Sequence, residues 1–177
     1  FITGKPGTGK TTILTKIIKT LRDRGYQIGG MVSREAREGG RRVGFKVRDL
    51  TRGREGWLAH VKYDQGPRVG KYRVNLKDLE EVGVEAIGDA VEQKKVIAID
   101  EIGPMELYSN RFKEEVRRAM NSGKPLIGTI HWRARDELIE EIKVRKDSEI
   151  TEVTYENRDK LSGVLVDRVV KFLERQT

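Results

Sequence analysis

Two stretches of this sequence carry residue types that can do chemistry. The first is Gly4-Lys5-Pro6-Gly7-Thr8-Gly9-Lys10-Thr11, which fits G-x-x-x-x-G-K-[ST] at every fixed position. Glycines at these places let the backbone turn sharply and aim its N–H groups at an anion. Lys10 supplies a point charge for β- and γ-phosphates, and Thr11 a hydroxyl for Mg²⁺. The second stretch is Val96-Ile97-Ala98-Ile99-Asp100-Glu101, four apolar residues followed by an acid pair, which is the Walker B pattern. At the carboxyl edge of a parallel sheet, Asp100 is placed to hold the Mg²⁺ shell. Glu101 is placed to orient and deprotonate a water aimed at the γ-phosphate. A kinase for small molecules needs no such glutamate, so the pair favours hydrolysis over transfer to an acceptor.

These groups work only if the chain positions them. A phosphate loop must open a helix, because a helix N-terminus is itself an anion site. The stripe Ile13, Leu14, Ile17, Ile18 and Leu21 supplies that helix from Thr12 onward, and Gly25 stops it. Upstream, Phe1-Ile2-Thr3 reads as the end of a first strand; with no Met at its head, we expect it to lack a few residues. Residues 27–33 read as a short strand. Residues 37–74 read as an inserted antiparallel hairpin or meander, with turns at 38–41 and 51–54 and a further short strand at 69–74. Asn75 reads as a helix N-cap with Asp78 three positions on, and Gly83 predicts a kink or two short helices. Residues 96–99 and 126–130 read as buried parallel strands. Ser109 caps a helix carrying Phe112, Val116, Ala119 and Met120; residues 134–143 form another. A last strand at 150–153 precedes a helix capped by Thr154, with Leu161, Val164, Leu165, Val169, Phe172 and Leu173 facing the core. Strands alternating with helices predict an α/β fold, a mostly parallel sheet covered on both faces, in one domain over residues 1–177.

The 177 residues suit one sizeable core. With no cysteine, disulfides, thiolate metal sites and cysteine nucleophiles are excluded together, which fits a reducing cytoplasm. Richness in Lys, Arg and Glu fits a thermophile. No apolar run is long enough to span a membrane, and no signal peptide is visible. A net charge of +8 suits anionic ligands, but 28 acidic residues are mixed among 36 basic ones, so nucleic acid is not the favoured partner.

Behind the phosphate loop, Asp100-Glu101-Ile102-Gly103-Pro104-Met105-Glu106 carries a resemblance to a known family. With Ser33-Arg34-Glu35, Val43-Gly44-Phe45, residues 69–75 and Glu156-Asn157-Arg158-Asp159, the chain resembles the thermophilic nucleoside-triphosphatase family over essentially its whole length. The resemblance implies a P-loop NTPase, a three-layer sandwich of the subgroup with an added catalytic glutamate. It implies slow, Mg²⁺-dependent hydrolysis of ATP, GTP, CTP and UTP to diphosphates with little base preference. It places nucleotide contacts on residues 4–11 with Thr12 at the helix start, and on Val96, Ile97, Ala98, Ile99, Asp100, Glu101, Ile102 and Gly103. Metal ligation falls to Thr11 and Asp100, catalysis to Lys10 and Glu101. Lys5 departs from the family pattern by adding a charge inside the loop.

Lesser candidates remain. Thr129 is placed to sense the γ-phosphate by hydrogen bonding, or simply to fill its strand. His131 reads better as a surface histidine packed on Trp132. Asn157 and Arg158 serve as helix-start caps or touch base, ribose or phosphates. Arg34, Arg111 and Arg133 are candidate charge stabilisers among many surface arginines. The arginine-rich hairpin with Phe45 and Trp57 offers a single-strand nucleic-acid surface, but alternation buries Phe45 and favours a solvated hairpin. A nucleotide or nucleoside kinase and a nucleic-acid-linked ATPase are the rival readings. Oligomeric state is open, with a monomer preferred.

Overall fold

In the computed structural model, residues 1–175 are described. Nine strands form one sheet in the order β5-β6-β4-β3-β2-β7-β8-β1-β9. They are β1 (Ile2–Thr3), β2 (Ile28–Glu38), β3 (Arg41–Asp49), β4 (Glu55–His60), β5 (Arg68–Val69), β6 (Tyr72–Val74), β7 (Val96–Ile102), β8 (Leu126–Ile130) and β9 (Thr151–Glu152). From β2 to β9 every neighbouring pair in this order is parallel; from β2 outward to β5 every pair is antiparallel. The α/β expectation therefore holds, and the hairpin extends the main sheet.

Strand β7 shows why both faces are covered. Val96 and Ala98 join the core beneath helices α1 (Lys10–Asp23) and α6 (Arg158–Glu174). Ile97 and Ile99 join the opposite core, beneath α3 (Glu85–Gln93), α4 (Asn110–Met120) and α5 (Glu137–Val144). A strand buried on both sides must be apolar at every position, as this one is until Asp100. The five stripe residues of α1 are all buried, as its period predicts.

Several boundaries differ from the expectation. Strand β2 runs on through Arg34 and Glu35 to Glu38, so its outer half is the first arm of the hairpin. Its charged residues are spent on cross-strand ion pairs, Arg34 with Glu55 and Arg42 with Glu35. The short strand at 69–74 is two strands, β5 and β6, turning at Gly70. Asn75 does cap, accepting from Asp78 N at 3.1 Å. Beyond it, α2 (Leu76–Asp78), a π-helical stretch (Leu79–Val84) and α3 run on in sequence, so Gly83 sits in a π-bulge. Gly83 packs under Met31 and Val47, where a Cβ would approach Met31 Sδ to 2.9 Å. Ser109 caps α4 through Phe112 N as expected, whereas α5 starts at Glu137 because Asp136 takes its first-turn amide.

At α6 the cap is Asn157. Thr154 N donates to Asn157 Oδ1 and Asn157 N donates to Thr154 Oγ1, which builds the turn before the helix. Val164 and Phe172 are exposed, and Val166 takes the buried place beside Leu161 and Val169. Among the described residues, no helix is long and apolar enough to cross a membrane.

Candidate active site

The phosphate loop leaves β1, whose end is clamped on both sides. Thr3 Oγ1 donates to Ile130 O on β8, and Val153 N, just past β9, donates to Thr3 O at 2.7 Å. Within the loop, Thr8 donates to Lys5 O through both its amide and its hydroxyl. Gly4 is buried where the loop turns; a Cβ there would lie 2.8 Å from Val153 O and 2.9 Å from Thr8 Oγ1. Gly9 has a φ of 100° and precedes α1 with no side-chain cap and no acidic residue in the first turn. The first amides of α1 are thus left to an external anion. Lys10 Nζ donates to Gly4 O at 3.0 Å, which folds the cation over the loop. Lys5, Pro6, Gly7, Thr11 and Thr12 are exposed on the rim.

Strand order brings the acid pair to this loop. β8 lies between β1 and β7, and pairs with both. Its Thr129 is fully buried and its hydroxyl donates to Asp100 Oδ1. The Thr11 hydroxyl, at the start of α1, lies close enough to act on the Asp100 carboxyl as well. Burial pushes the Asp100 carboxyl above the usual carboxylate range, and these two hydroxyls and Lys10 pull against that shift. Val96, Ile97, Ala98 and Ile99 are fully buried; their part is to carry Asp100 to the sheet edge.

Thr11 and Asp100 together offer hard oxygen donors at a point next to the phosphate loop. Among the described residues no group of three His, Cys, Asp or Glu could cage a metal. That donor set fits Mg²⁺, which takes one or two protein oxygens and fills the rest with phosphate and water. It does not fit a metal needing an all-protein cage.

Glu101 follows, and the Asp100–Glu101 peptide is cis. Burial raises its proton affinity to about 7, Asp100 adds to the rise, and Lys10 opposes it. A carboxylate poised there suits a general base near neutral pH. A third acid lies beside it. Glu106 opens a 3₁₀ turn (Glu106–Tyr108) after β7 and is 3% exposed. Burial first, and Glu101 second, raise it to about 8. Glu106 closes the motif that begins at Asp100, and its signal in the sequence is an acid just beyond a buried strand end.

The lesser candidates fall into place around this core. His131 is partly buried, and burial, Lys10 and Arg133 lower its proton affinity. Arg133 is the group stacked on Trp132, at 4.2 Å. Arg34 pairs with Glu55, and Arg111 with Glu80. Asn157 is held by Thr154 and donates to Glu152 O. Arg158 lies 5.2 Å over the exposed Tyr155 ring. Phe45 packs on the core and edge-on to Tyr72. A cavity of about 430 Å³ lies at the amino edge of β8, beside Phe1 and Arg168, away from the phosphate loop.

A parallel sheet with a Gly-rich loop opening α1, and an acid pair ending a neighbouring strand, defines a P-loop NTPase. Comparison with known proteins agrees. A family model described as NTPase matches residues 1–166. The chain is 50% identical over 175 residues to nucleoside-triphosphatase THEP1 of Thermofilum pendens, covering 98% of this chain and 96% of that protein. It is 41% identical to its counterpart in Methanocaldococcus jannaschii, over 98% of each. The crystal structure of THEP1 from Aquifex aeolicus superposes with a TM-score of 0.83 at 32% identity, covering 95% of this chain and 96% of that one. The solution structure of a human cancer-related nucleoside triphosphatase gives 0.81 at 37%, covering 96% and 95%. The chain belongs to this NTPase family.

Proposed function

We propose that this protein hydrolyses nucleoside triphosphates to diphosphate and phosphate, with Mg²⁺ and with little preference among ATP, GTP, CTP and UTP. The single observation that carries the reading is Glu101, a half-buried carboxylate at the end of β7 that feels both Asp100 and Lys10. The amides of residues 4–11 and the Lys10 ammonium hold the β- and γ-phosphates. Mg²⁺, held by Thr11 and Asp100, would neutralise charge on the phosphate oxygens. Glu101 takes a proton from water as the water oxygen bonds to the γ-phosphorus. The bond from that phosphorus to the β,γ-bridging oxygen breaks, and the diphosphate leaves with the electron pair. Low base preference follows from the site's chemistry, because loop amides read phosphates and not bases.

The test is phosphate release from each of the four triphosphates, with Mg²⁺ and with excess chelator, in the parent and in Lys10→Ala. Release from all four, abolished by chelator and by the substitution, is expected. Release from one triphosphate alone, or a rate untouched by chelator, would overturn the corresponding part of the reading.

A further inference from the structure

Glu106 is buried, acidic and outside the hydrolytic steps just described. Its turn folds it back on the strand end: Leu107 N donates to Gly103 O and Ser109 N to Glu106 O, both at 3.0 Å. The carboxyl comes to rest on Gly103. A Cβ at that glycine would lie 2.9 Å from Glu101 Oε1, 3.1 Å from Glu101 Cγ and 3.2 Å from Glu106 Oε2. Both carboxyls therefore pack against the same glycine, and a side chain there would press on both.

Two ionised carboxylates cannot share a buried face cheaply. Each would lose hydration, and each would repel the other. Lys10 offsets charge on Asp100 and Glu101. For Glu106 the charged neighbours acting on it are Glu101 and Asp100, both acidic, and its offsetting dipoles are its own amide and that of Gly103. The arrangement of lower energy puts a proton on Glu106. An O–H···O⁻ bond to a carboxylate is among the short, strong hydrogen bonds.

We propose that Glu106 is a positioning residue: its neutral carboxyl, packed with Glu101 against Gly103, donates a hydrogen bond to Glu101 and holds that side chain aimed at the attacking water. This rests on the reading of Glu101 as the base. The raised proton affinity of Glu106 agrees with it. A donor in this place fixes one oxygen of Glu101 and leaves the other for water. It also accounts for the glycine, since a side chain at 103 would push the two carboxyls apart.

Three substitutions separate geometry from charge. Glu106→Gln keeps the length and a donor and is always neutral; Glu106→Asp keeps the acid and loses reach; Glu106→Leu keeps the volume and loses the donor. Steady-state ATP hydrolysis with Mg²⁺ is compared with equilibrium binding of a fluorescent nucleotide and with thermal melting. Gln should stay within about threefold of the parent kcat. Asp and Leu should lose about 10- to 100-fold in kcat, with KM and nucleotide affinity unchanged, because a misaimed base costs rate and not binding. If Leu does not fold, Asp carries the test. Parental kcat in Asp or Leu, a Gln variant as slow as Leu, or a loss confined to KM would overturn the proposal. Glu101→Gln is assayed alongside. A parental rate there removes the base reading itself; loss there with a parental rate in Glu106→Leu removes only the inference about Glu106.

Discussion

Glu106 should leave a mark on stability that can be read without any substrate. Its carboxyl binds a proton at about 8 in the folded chain, against 4.5 for a free glutamate. The folded state holds the proton more tightly, so stability is full below 4.5, falls as pH rises to about 8, and levels off above. At about 1.4 kcal/mol per pH unit, the interval sets a ceiling of about 5 kcal/mol. Glu106→Gln removes the titration and keeps the shape. At pH 4 the parent and the variant should melt together. At pH 9 the variant should melt higher, by up to about 10–20 °C, the shift that about 5 kcal/mol gives in a chain of this size. The assay is thermal melting by circular dichroism across that range at fixed ionic strength. Parallel melting curves at every pH would refute the reasoning, because they would mean that Glu106 ionises in the folded state as readily as in the unfolded one.

Two further outcomes follow from the packing. Gly30 has a φ of 114° on β2, and a Cβ there would lie 2.0 Å from Ala98 O on β7. Gly30→Ala should cost roughly 3 kcal/mol or more, read as a fall in Tm or as loss of soluble protein; a Tm within a degree or two of the parent would contradict the contact. Thr129→Val removes a buried hydroxyl from Asp100. It should cost about 1–3 kcal/mol of stability and raise the Mg²⁺ concentration needed for half-maximal hydrolysis; an unchanged Mg²⁺ requirement would show that Thr129 does not hold Asp100.

Much of this site was legible because its signals are local. The spacing of residues 4–11 dictates a loop and a helix start, and the α1 stripe is buried as its period demands. Asn75 and Ser109 cap where side-chain chemistry places them. The losses have a common physical cause. The outer half of β2 is charged and solvent-facing, so its strand character comes from pairing with β3, which no local pattern records. Val164 and Phe172 look apolar enough for a core face, yet the packing of α6 buries Val166 instead. Thr129 reads on its own as a strand residue; its bond to Asp100 exists because β8 lies against β7. Glu106 needs the turn at Gly103 before its carboxyl meets that of Glu101.

The central claim is that Glu101 is the base that activates water. The most direct measurement is single-turnover phosphate release by Glu101→Gln, made beside equilibrium binding of the same triphosphate. The amide keeps the size of the side chain and cannot accept the proton. Hydrolysis should fall by about 10²- to 10⁴-fold while the nucleotide binds as tightly as to the parent. A variant that hydrolyses at the parental rate would contradict the account.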